Sequence, residues 1–97
     1  MNEHDFDSQI KDLIAYGQWD IAYHVLEQGV YAHRTQKGFP DWFLCRDDRI
    51  VVLELKGSSG KLTDDQVICL ELLRLTRKVE VYVLWPEDSD LAIALLK

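Results

Sequence analysis

The spacing of apolar residues along this chain predicts alternating helices and strands. Near the start, Phe6, Ile10, Leu13 and Ile14 recur at the three- and four-residue intervals of a helix with one buried stripe, and Gly17 ends it. Four later segments have the short, apolar-rich patterns of strands: WDIAYHVL (19–26), DWFLCR (41–46), RIVVLELK (49–56) and VEVYVLW (79–85).

Three polar segments join these elements: the glycine-punctuated loop EQGVYAHRTQKGFP (27–40), a tight turn at Asp47 and Asp48, and the flexible connector GSSGK (57–61). Thr63 then opens a second helix with Gln66 three residues later, a capping-box pattern, and this helix runs to about Thr76. DSDLAIALL (88–96) predicts a short last helix. The predicted order is αβββαβ with a trailing helix, in one domain of residues 1–97.

The composition narrows the class of protein. An apolar share of 47% and a charged share of 29% are ordinary for a globular domain. No apolar run approaches the roughly 20 residues of a membrane span, and the acidic start MNEHDFDSQ does not resemble a signal peptide. Cys45 and Cys69 have no partners at metal-ligand spacing, so we expect two free, buried thiols in a cytoplasmic protein rather than a disulfide.

The charge is unevenly distributed along the chain. Its net value is −6, but residues 31–61 hold six Lys and Arg against four acids, whereas the segments before and after them are both acidic. A local basic region can bind phosphate even when the net charge is negative. Nucleic acid therefore remains a candidate partner.

The strand VVLELKG (51–57) contains an anomaly, because Glu54 and Lys56 interrupt a run that is otherwise typical of a buried strand. If the two aspartates form the hairpin turn, Asp41 lies opposite Glu54, and Lys56 projects from the same face. Opposed carboxylates repel unless a hard divalent cation such as Mg²⁺ lies between them. The structural alternative is a salt bridge from Lys56 to one acid at the end of the sheet.

The residues around this cluster carry a motif. Pro40-Asp41 followed by Glu54-Leu55-Lys56 fits PD…ExK, and KGFPDWFLCRDDRIVVLELKGSSGKLTDDQ adds a Gly-x-Pro-Asp, a hairpin, a glycine-bearing loop and a helix with a glutamine. This pattern resembles the PD-(D/E)XK nucleases and, more closely, their VRR-NUC (virus-type replication-repair nuclease) branch. The resemblance extends to WDIAYHV and VYVLWPED. It implies an α/β, restriction-endonuclease-like core with a mixed sheet flanked by helices.

The resemblance also implies roles for particular residues. Asp41 and Glu54, with the Leu55 carbonyl, would ligate Mg²⁺ or Mn²⁺. Lys56 would orient or deprotonate the attacking water and stabilise charge on the phosphorane. Gln66 would lie at the edge of the site, and this role is compatible with its place in the capping box.

Other positions are candidates that each have a structural alternative. The family often adds an acid from the first helix, where Asp7 is slightly favoured over Glu3, and His24 matches a strand histidine of phage-type members. A single strand histidine is more often a hydrogen-bonded structural residue. The basic residues expected to contact DNA phosphates are Arg34, Lys37 and Lys61, with His33 a weaker candidate; the alternative is a solvated loop.

The second helix is apolar around nearly its whole circumference: Val67, Ile68, Cys69, Leu70, Leu72, Leu73 and Leu75. Such a helix is buried all round or supplies an oligomer face, and one sheet face in a 97-residue domain cannot easily cover it. We therefore expect a homodimer with two-fold symmetry. Two active sites facing a branched duplex would suit the junction cleavage attributed to phage-type relatives.

These observations favour a metal-dependent, structure-selective DNA endonuclease, of the type that resolves Holliday junctions, in a bacterial or phage-infected cell. It would hydrolyse the phosphodiester by in-line attack of water, leave a 5′-phosphate as the superfamily does, and need no small-molecule cofactor. Two alternatives stay open. One is a nuclease for flaps or nicked duplexes, and the other is a catalytically silent domain that binds DNA or a protein, which the acidic ends favour.

Overall fold

A computed structural model of the chain describes residues 1–25 and 37–97. The elements in chain order are α1 (Glu3–Tyr16), β1 (Ile21–His24), β2 (Trp42–Arg46), β3 (Arg49–Leu55), α2 (Asp64–Leu75), β4 (Glu80–Leu84), a 3₁₀ turn (Pro86–Asp88) and α3 (Ser89–Leu96). The predicted order αβββαβ with a trailing helix is confirmed. Most of the predicted loop 27–40 lies outside the described residues.

The described strands form one mixed sheet in the order β1-β2-β3-β4. The first three are antiparallel, and α2 carries the chain across to β4, which runs parallel to β3. Trp42 pairs with Leu53 and Leu44 with Val51, which is the register that the hairpin predicted. Asp47 and Asp48 have φ angles of 53° and 62°, as a two-residue type I′ turn requires.

The main core lies between one face of the sheet and the helices α1 and α3. The predicted stripe of α1 is confirmed, because Phe6, Ile10 and Ile14 are buried. The core residues from the rest of the chain are Trp19, Trp42, Leu44, Val51, Leu53, Leu55, Leu84, Ala92, Leu95 and Leu96. Since strand side chains alternate, the residues between these core positions of β3 point to the opposite face.

Helix α2 packs on that opposite face, and its own residues Cys69 and Leu70 are buried against the sheet. Its predicted capping box is confirmed: the Thr63 hydroxyl accepts from the Gln66 amide, and the Gln66 side chain accepts from the Thr63 amide at 2.9 Å. The side of α2 that points away from the sheet is exposed, although it is also apolar.

The structure tests two expectations from the composition, namely the state of the two cysteines and the absence of a membrane-spanning helix. Cys45 and Cys69 are both free, as predicted, but only Cys69 is buried. Cys45 is half-exposed because it lies on the α2 side of the sheet, on β2, where α2 does not fully cover it. No helix within residues 1–25 and 37–97 is both long and apolar enough to cross a bilayer.

Candidate active site

The end of the β2–β3 hairpin brings three charged side chains to one place. Glu54 and Lys56 are only 2% and 7% exposed. The strand register, continued by one residue beyond Trp42, places Asp41 opposite Glu54, and the Leu55 amide donates to Asp41 Oδ2 at 2.8 Å. A cleft of about 220 Å³ opens here, and its lining residues are Glu3, Val25, Phe39, Asp41, Glu54, Lys56 and Gln66.

Gln66 connects the charged residues through both ends of its amide. Its Oε1 accepts from Lys56 Nζ at 2.7 Å, and its Nε2 donates to Glu54 Oε2 at 3.2 Å. The Thr63 amide also donates to Oε1, so two donors fix which end of the amide faces the lysine. Lys56 Nζ lies 3.7 Å from Glu54 Oε2. Gln66 is therefore a capping residue and a cleft residue at once.

The positive charge of Lys56 does not balance the two opposed carboxyl groups, and both have a raised pKa. Burial, and then the charge of Asp41, raise the pKa of Glu54 to about 8, although Lys56 acts in the other direction. Burial also raises the pKa of Asp41, partly offset by the hydrogen bond from the Leu55 amide. The proximity of the two carboxyl groups acts in opposite directions, because it raises the pKa of Glu54 and lowers that of Asp41. At neutral pH the pair therefore holds about one proton instead of two negative charges.

One oxygen of this pair is unsatisfied. Glu54 Oε1 is buried and has no hydrogen-bond partner among the described residues. Buried polar atoms without partners are rare in folded proteins, and at functional sites they often mark the position of an absent ion or substrate. A cation with a preference for oxygen ligands would satisfy this atom and the charge of the pair together. The donor set therefore fits a hard divalent cation.

The side chains alone do not form a complete metal cluster. Within the part of the chain that the structure describes, no group of three or more His, Cys, Asp and Glu side chains is arranged to hold an ion. The ligand set that the family resemblance implies has two carboxylates and a backbone carbonyl, so it does not require a third side chain. Glu3 lines the same cleft, and burial followed by the charge of Asp41 raises its pKa.

Asp7 and His24 lie beside the cleft rather than in its lining. Asp7 Oδ1 accepts from Trp42 Nε1 at 3.0 Å and lies 3.3 Å from His24 Nε2. The His24 ring stacks on the Trp42 indole at 4.3 Å with an angle of 6° between the planes. Of the two acids proposed from α1, Glu3 therefore faces the cleft, and Asp7 acts on it through its charge, which raises the pKa of Asp41.

The loop after Lys56 holds the start of α1 against the site. The Ser58 amide donates to the Met1 carbonyl at 3.0 Å, and a side chain at Gly57 would place its Cβ 2.9 Å from the Glu3 nitrogen. The far end of this loop is held by Trp85 Nε1, which donates to the Gly60 carbonyl at 2.8 Å. The predicted flexible connector is thus fastened on both sides, and Glu3 reaches the cleft because residue 57 has no side chain.

Of the basic residues expected to contact DNA phosphates, only some lie within the described residues. Lys37 and Lys61 are exposed, on the segments that lead into Asp41 and into α2. Arg34 and His33 lie outside the described residues. Gly38, with φ of 79°, packs so closely on α2 that a Cβ there would lie 2.4 Å from the Asp65 backbone, which places the Lys37 segment beside the first turn of α2.

Sequence reasoning did not single out three residues around the cleft. Phe39 and Val25 line it, and Trp42 holds Asp7 in place. Phe39 could have been found, because it directly precedes Pro40-Asp41 in the motif. Val25 and Trp42 carried no signal, since apolar residues in and next to strands are normally read as core.

Comparison with known proteins gives a match at the level of structure. No family model matches the sequence, and no curated protein is significantly similar to it. Solved structures do match, among them a "VRR_NUC domain protein" with a TM-score of 0.73 and 16% sequence identity, over 98% of this chain and 84% of the other. This likeness confirms the resemblance inferred from the motif where the fold is concerned. The chain has the fold of a VRR-NUC domain.

Proposed function

We propose that residues 1–97 form a metal-dependent DNA endonuclease domain whose active site contains Asp41, Glu54, Lys56 and Gln66. The observation that carries the proposal is Oε1 of Glu54, which is buried beside a second carboxyl group and has no hydrogen-bond partner in residues 1–25 and 37–97. A structural salt bridge explains this arrangement poorly. It would pair Lys56 with one acid and would not need an opposed acid that raises the pKa of Glu54.

The ion would be Mg²⁺ or Mn²⁺, held by the carboxylates of Asp41 and Glu54 and by the Leu55 carbonyl. Glu3 is the candidate for an additional contact, because it lines the same cleft. When bound, the ion supplies positive charge against the scissile phosphate and favours the ionised form of the attacking water. The oxygen ligands are those that hard cations prefer.

Lys56 and Gln66 contribute a positioned charge. The lysine is nearly buried, and Gln66 Oε1 fixes its ammonium group at 2.7 Å, so little reorganisation is needed when negative charge develops on the phosphate. In this role Lys56 orients the attacking water and stabilises the transition state. Hydrolysis by in-line attack then leaves a 5′-phosphate.

The substrate is branched or duplex DNA, bound through phosphates by Arg34, Lys37 and Lys61. The enzyme acts as a homodimer in the cytoplasm of a bacterial or phage-infected cell, and four-way junctions are the preferred DNA structure. A homodimer would suit this preference, because two related cuts need two active sites.

A cleavage assay tests the proposal. Four-way junctions, flaps, nicked duplexes and linear duplexes are each incubated with Mg²⁺, Mn²⁺, Ca²⁺ or a chelator. We expect cutting in Mg²⁺ or Mn²⁺ and none with the chelator, and Asp41→Asn should abolish it. Binding to DNA without cleavage in any metal would support the catalytically silent alternative and refute the nuclease.

Lys56→Ala separates catalysis from binding. We expect its single-turnover rate in Mg²⁺ to fall by about 10² or more, as after the loss of one preorganised electrostatic group, while its affinity in Ca²⁺ stays within a few-fold of wild type. Lys11→Ala is the matched control, because Lys11 is an exposed lysine of α1 that does not line the cleft. Equal losses of rate and affinity in Lys56→Ala would make Lys56 a phosphate contact only.

A further inference from the structure

A groove lies between α1 and α3, apart from the active-site cleft. Its volume is about 460 Å³, against about 220 Å³ for the cleft. Its floor is apolar and consists of Phe6, Ile10, Leu13 and Ala92. None of the residues that line this groove also lines the cleft, so the groove is a separate feature of the molecule.

The α1 wall of the groove is a ridge of exposed side chains. Asp5, Gln9, Asp12 and Tyr16 recur at intervals of four, three and four residues, so they lie on one side of the helix. The last three line the groove, and Asp5 continues the ridge by one turn. Lys11, the lysine of this helix, lies about 160° around the axis from the groove residue Leu13. The charges on this wall are therefore acidic.

The α3 wall also begins with an acid, but it ends in a lysine. Asp90, Ile93 and Lys97 are spaced by three and four residues, and Ile93 is 41% exposed in the groove. Nζ of Lys97 lies 5.1 Å from the centre of the Tyr16 ring, so the two walls meet at this end. The cation of the groove is thus engaged with an aromatic ring.

The acids of the two walls are available for contacts with a partner. Neither Asp12 nor Asp90 forms an ion pair within residues 1–25 and 37–97. Asp5 lies 3.6 Å from Nδ1 of His4, whose side chain is 90% exposed, and this pair is charged only when the histidine is protonated. The groove therefore combines an apolar floor with three solvated carboxylates along its edges.

The length and charge of the groove fit an amphipathic helix. A helix docks in a groove through apolar side chains at positions such as i, i+4 and i+7, which span about 10 Å. The α1 wall from Gln9 to Tyr16 also covers seven residues and has the same length. Lysine or arginine residues beside the apolar positions would lie against the three carboxylates. An acidic helix, DNA or an anionic lipid surface would be repelled by them.

We propose that the groove between α1 and α3 binds a basic amphipathic helix of a partner protein. The apolar floor takes the buried side chains of that helix, and the acids of the walls select its charge. Tyr16, which is 72% exposed, supplies an aromatic contact at the end of the groove. The proposal does not depend on nuclease activity, and a helix bound here leaves the cleft open because the two sites share no lining residue.

The binding is tested on the whole chain with a helical peptide of about 20 residues. The peptide carries leucines at i, i+4 and i+7 and lysines at the positions beside them. We expect a dissociation constant in the micromolar range, and at least tenfold weaker binding of a second peptide in which glutamates replace the lysines. Equal affinity of the two peptides would overturn the proposal, and so would the absence of binding at millimolar concentration of the basic peptide.

A pair of substitutions on α3 locates the bound peptide. Ile93→Lys removes an apolar contact in the groove and adds a charge that repels the basic peptide, so binding should weaken at least tenfold. Leu91→Lys is the matched control, because Leu91 is 49% exposed and lies on the other side of α3. Its affinity should stay within about threefold of wild type. Both variants should keep the wild-type circular dichroism spectrum, and equal losses in the two would place the peptide elsewhere.

Charge reversal on α1 tests the selection of a basic partner. Asp12→Lys should weaken binding of the lysine peptide and strengthen binding of the glutamate peptide, each by about threefold or more. Glu71→Lys, at an exposed acid in the middle of α2, makes the same change in net charge and should do neither, although it also breaks the exposed ion pair with Arg74. The same response in both variants would show that only the net charge matters and would refute the acidic walls as the cause.

Two other occupants of the groove would give different results. If the wild type sediments as a dimer and Ile93→Lys as a monomer, the groove holds a second copy of this chain. If the wild type binds vesicles that contain phosphatidylserine and does not bind the lysine peptide, the groove faces a membrane. Either result would overturn the proposal. A chain that binds the basic peptide as expected but cuts no DNA would leave this proposal intact and refute the nuclease.

Discussion

Replacing Glu54 by glutamine in the metal-free protein should stabilise the fold at alkaline pH. The wild-type carboxylate is buried beside Asp41, and its Oε1 has no partner within the described residues. Glutamine has nearly the same shape but no charge, and its amide can donate to Asp41 while its oxygen accepts from Gln66. The substitution therefore removes a like-charge pair without creating a cavity.

The pKa of Glu54 sets the magnitude and the sign. It rises from 4.5 to about 8 in the folded protein. Each pKa unit corresponds to about 1.4 kcal/mol, which gives roughly 5 kcal/mol as an upper limit. Because Asp41 shares the titration, we expect about 1–3 kcal/mol. A raised pKa means that the folded protein keeps a proton that the unfolded chain has lost, so wild-type stability falls as the pH rises from 4.5 through about 8.

The assay is thermal and denaturant unfolding of wild type and Glu54→Gln in a chelator, at pH values from 5 to 9. Near pH 5 the two proteins should have similar stability, and at pH 9 the variant should melt about 5–15 °C higher. Mg²⁺ or Mn²⁺ should stabilise the wild type and have little effect on the variant, since the ion binds the carboxylate pair. Glu87→Gln, at an exposed acid, is the control and should change stability by less than about 0.5 kcal/mol.

Two results would refute this reasoning. A stability difference that is the same at pH 5 and pH 9 would mean that Glu54 does not hold a proton in the folded protein. Equal stabilisation of wild type and variant by the ion would mean that the carboxylate pair does not bind it. The second result would remove the physical basis for a metal at this position.

Three further substitutions test other parts of the structure. Gly57→Ala should push the start of α1 away from the cleft, because its Cβ would lie 2.9 Å from the Glu3 nitrogen. We expect cleavage to fall at least tenfold with little loss of stability, and unchanged cleavage would exclude Glu3 from the reaction. Asp48→Gly should raise the free energy of unfolding by about 0.5–1 kcal/mol, because Asp48 has a φ of 62° in a turn that favours glycine. A variant that is less stable than wild type in chemical denaturation would contradict the turn type. Glu80→Gln should lower the free energy of unfolding by about 0.5 kcal/mol at neutral pH and leave it unchanged in acid. Arg49 lowers the pKa of Glu80, so the stabilisation by this ion pair is present above the ordinary glutamate pKa and is lost as the pH falls through the lowered value. A loss of stability that persists in acid would show that charge is not its cause.

The hairpin could be predicted from the sequence because its determinants are local. The alternation of side chains, the length of the strands and the two aspartates of the turn fix the register together. Once Trp42 pairs with Leu53, the position of Asp41 opposite Glu54 follows without knowledge of the rest of the fold. The same holds for the capping box of α2, which depends on residues only three positions apart.

The choice between Glu3 and Asp7 could not be predicted in the same way. Both acids lie at the start of α1, one turn apart, so helix periodicity treats them alike. Two distant contacts separate them: the Trp42 indole holds Asp7, and the backbone of Gly57 lets Glu3 approach the cleft. Neither contact has a signature in the spacing of residues along the chain. The sequence slightly favoured Asp7, whereas the structure places Glu3 in the cleft.

Gln66 shows why a local motif can have a second role that only the tertiary structure reveals. Its Oε1 accepts from the backbone amide of Thr63, the residue that caps α2, and from Nζ of Lys56, the residue that follows β3. The start of the helix and the position of the lysine therefore depend on the same oxygen atom. Because the other end of the amide donates to Glu54, the cap also orients one of the two opposed carboxyl groups. A glutamine suits this position better than a glutamate, which would complete the capping box equally well but would add another negative charge next to a carboxyl pair that already retains a proton.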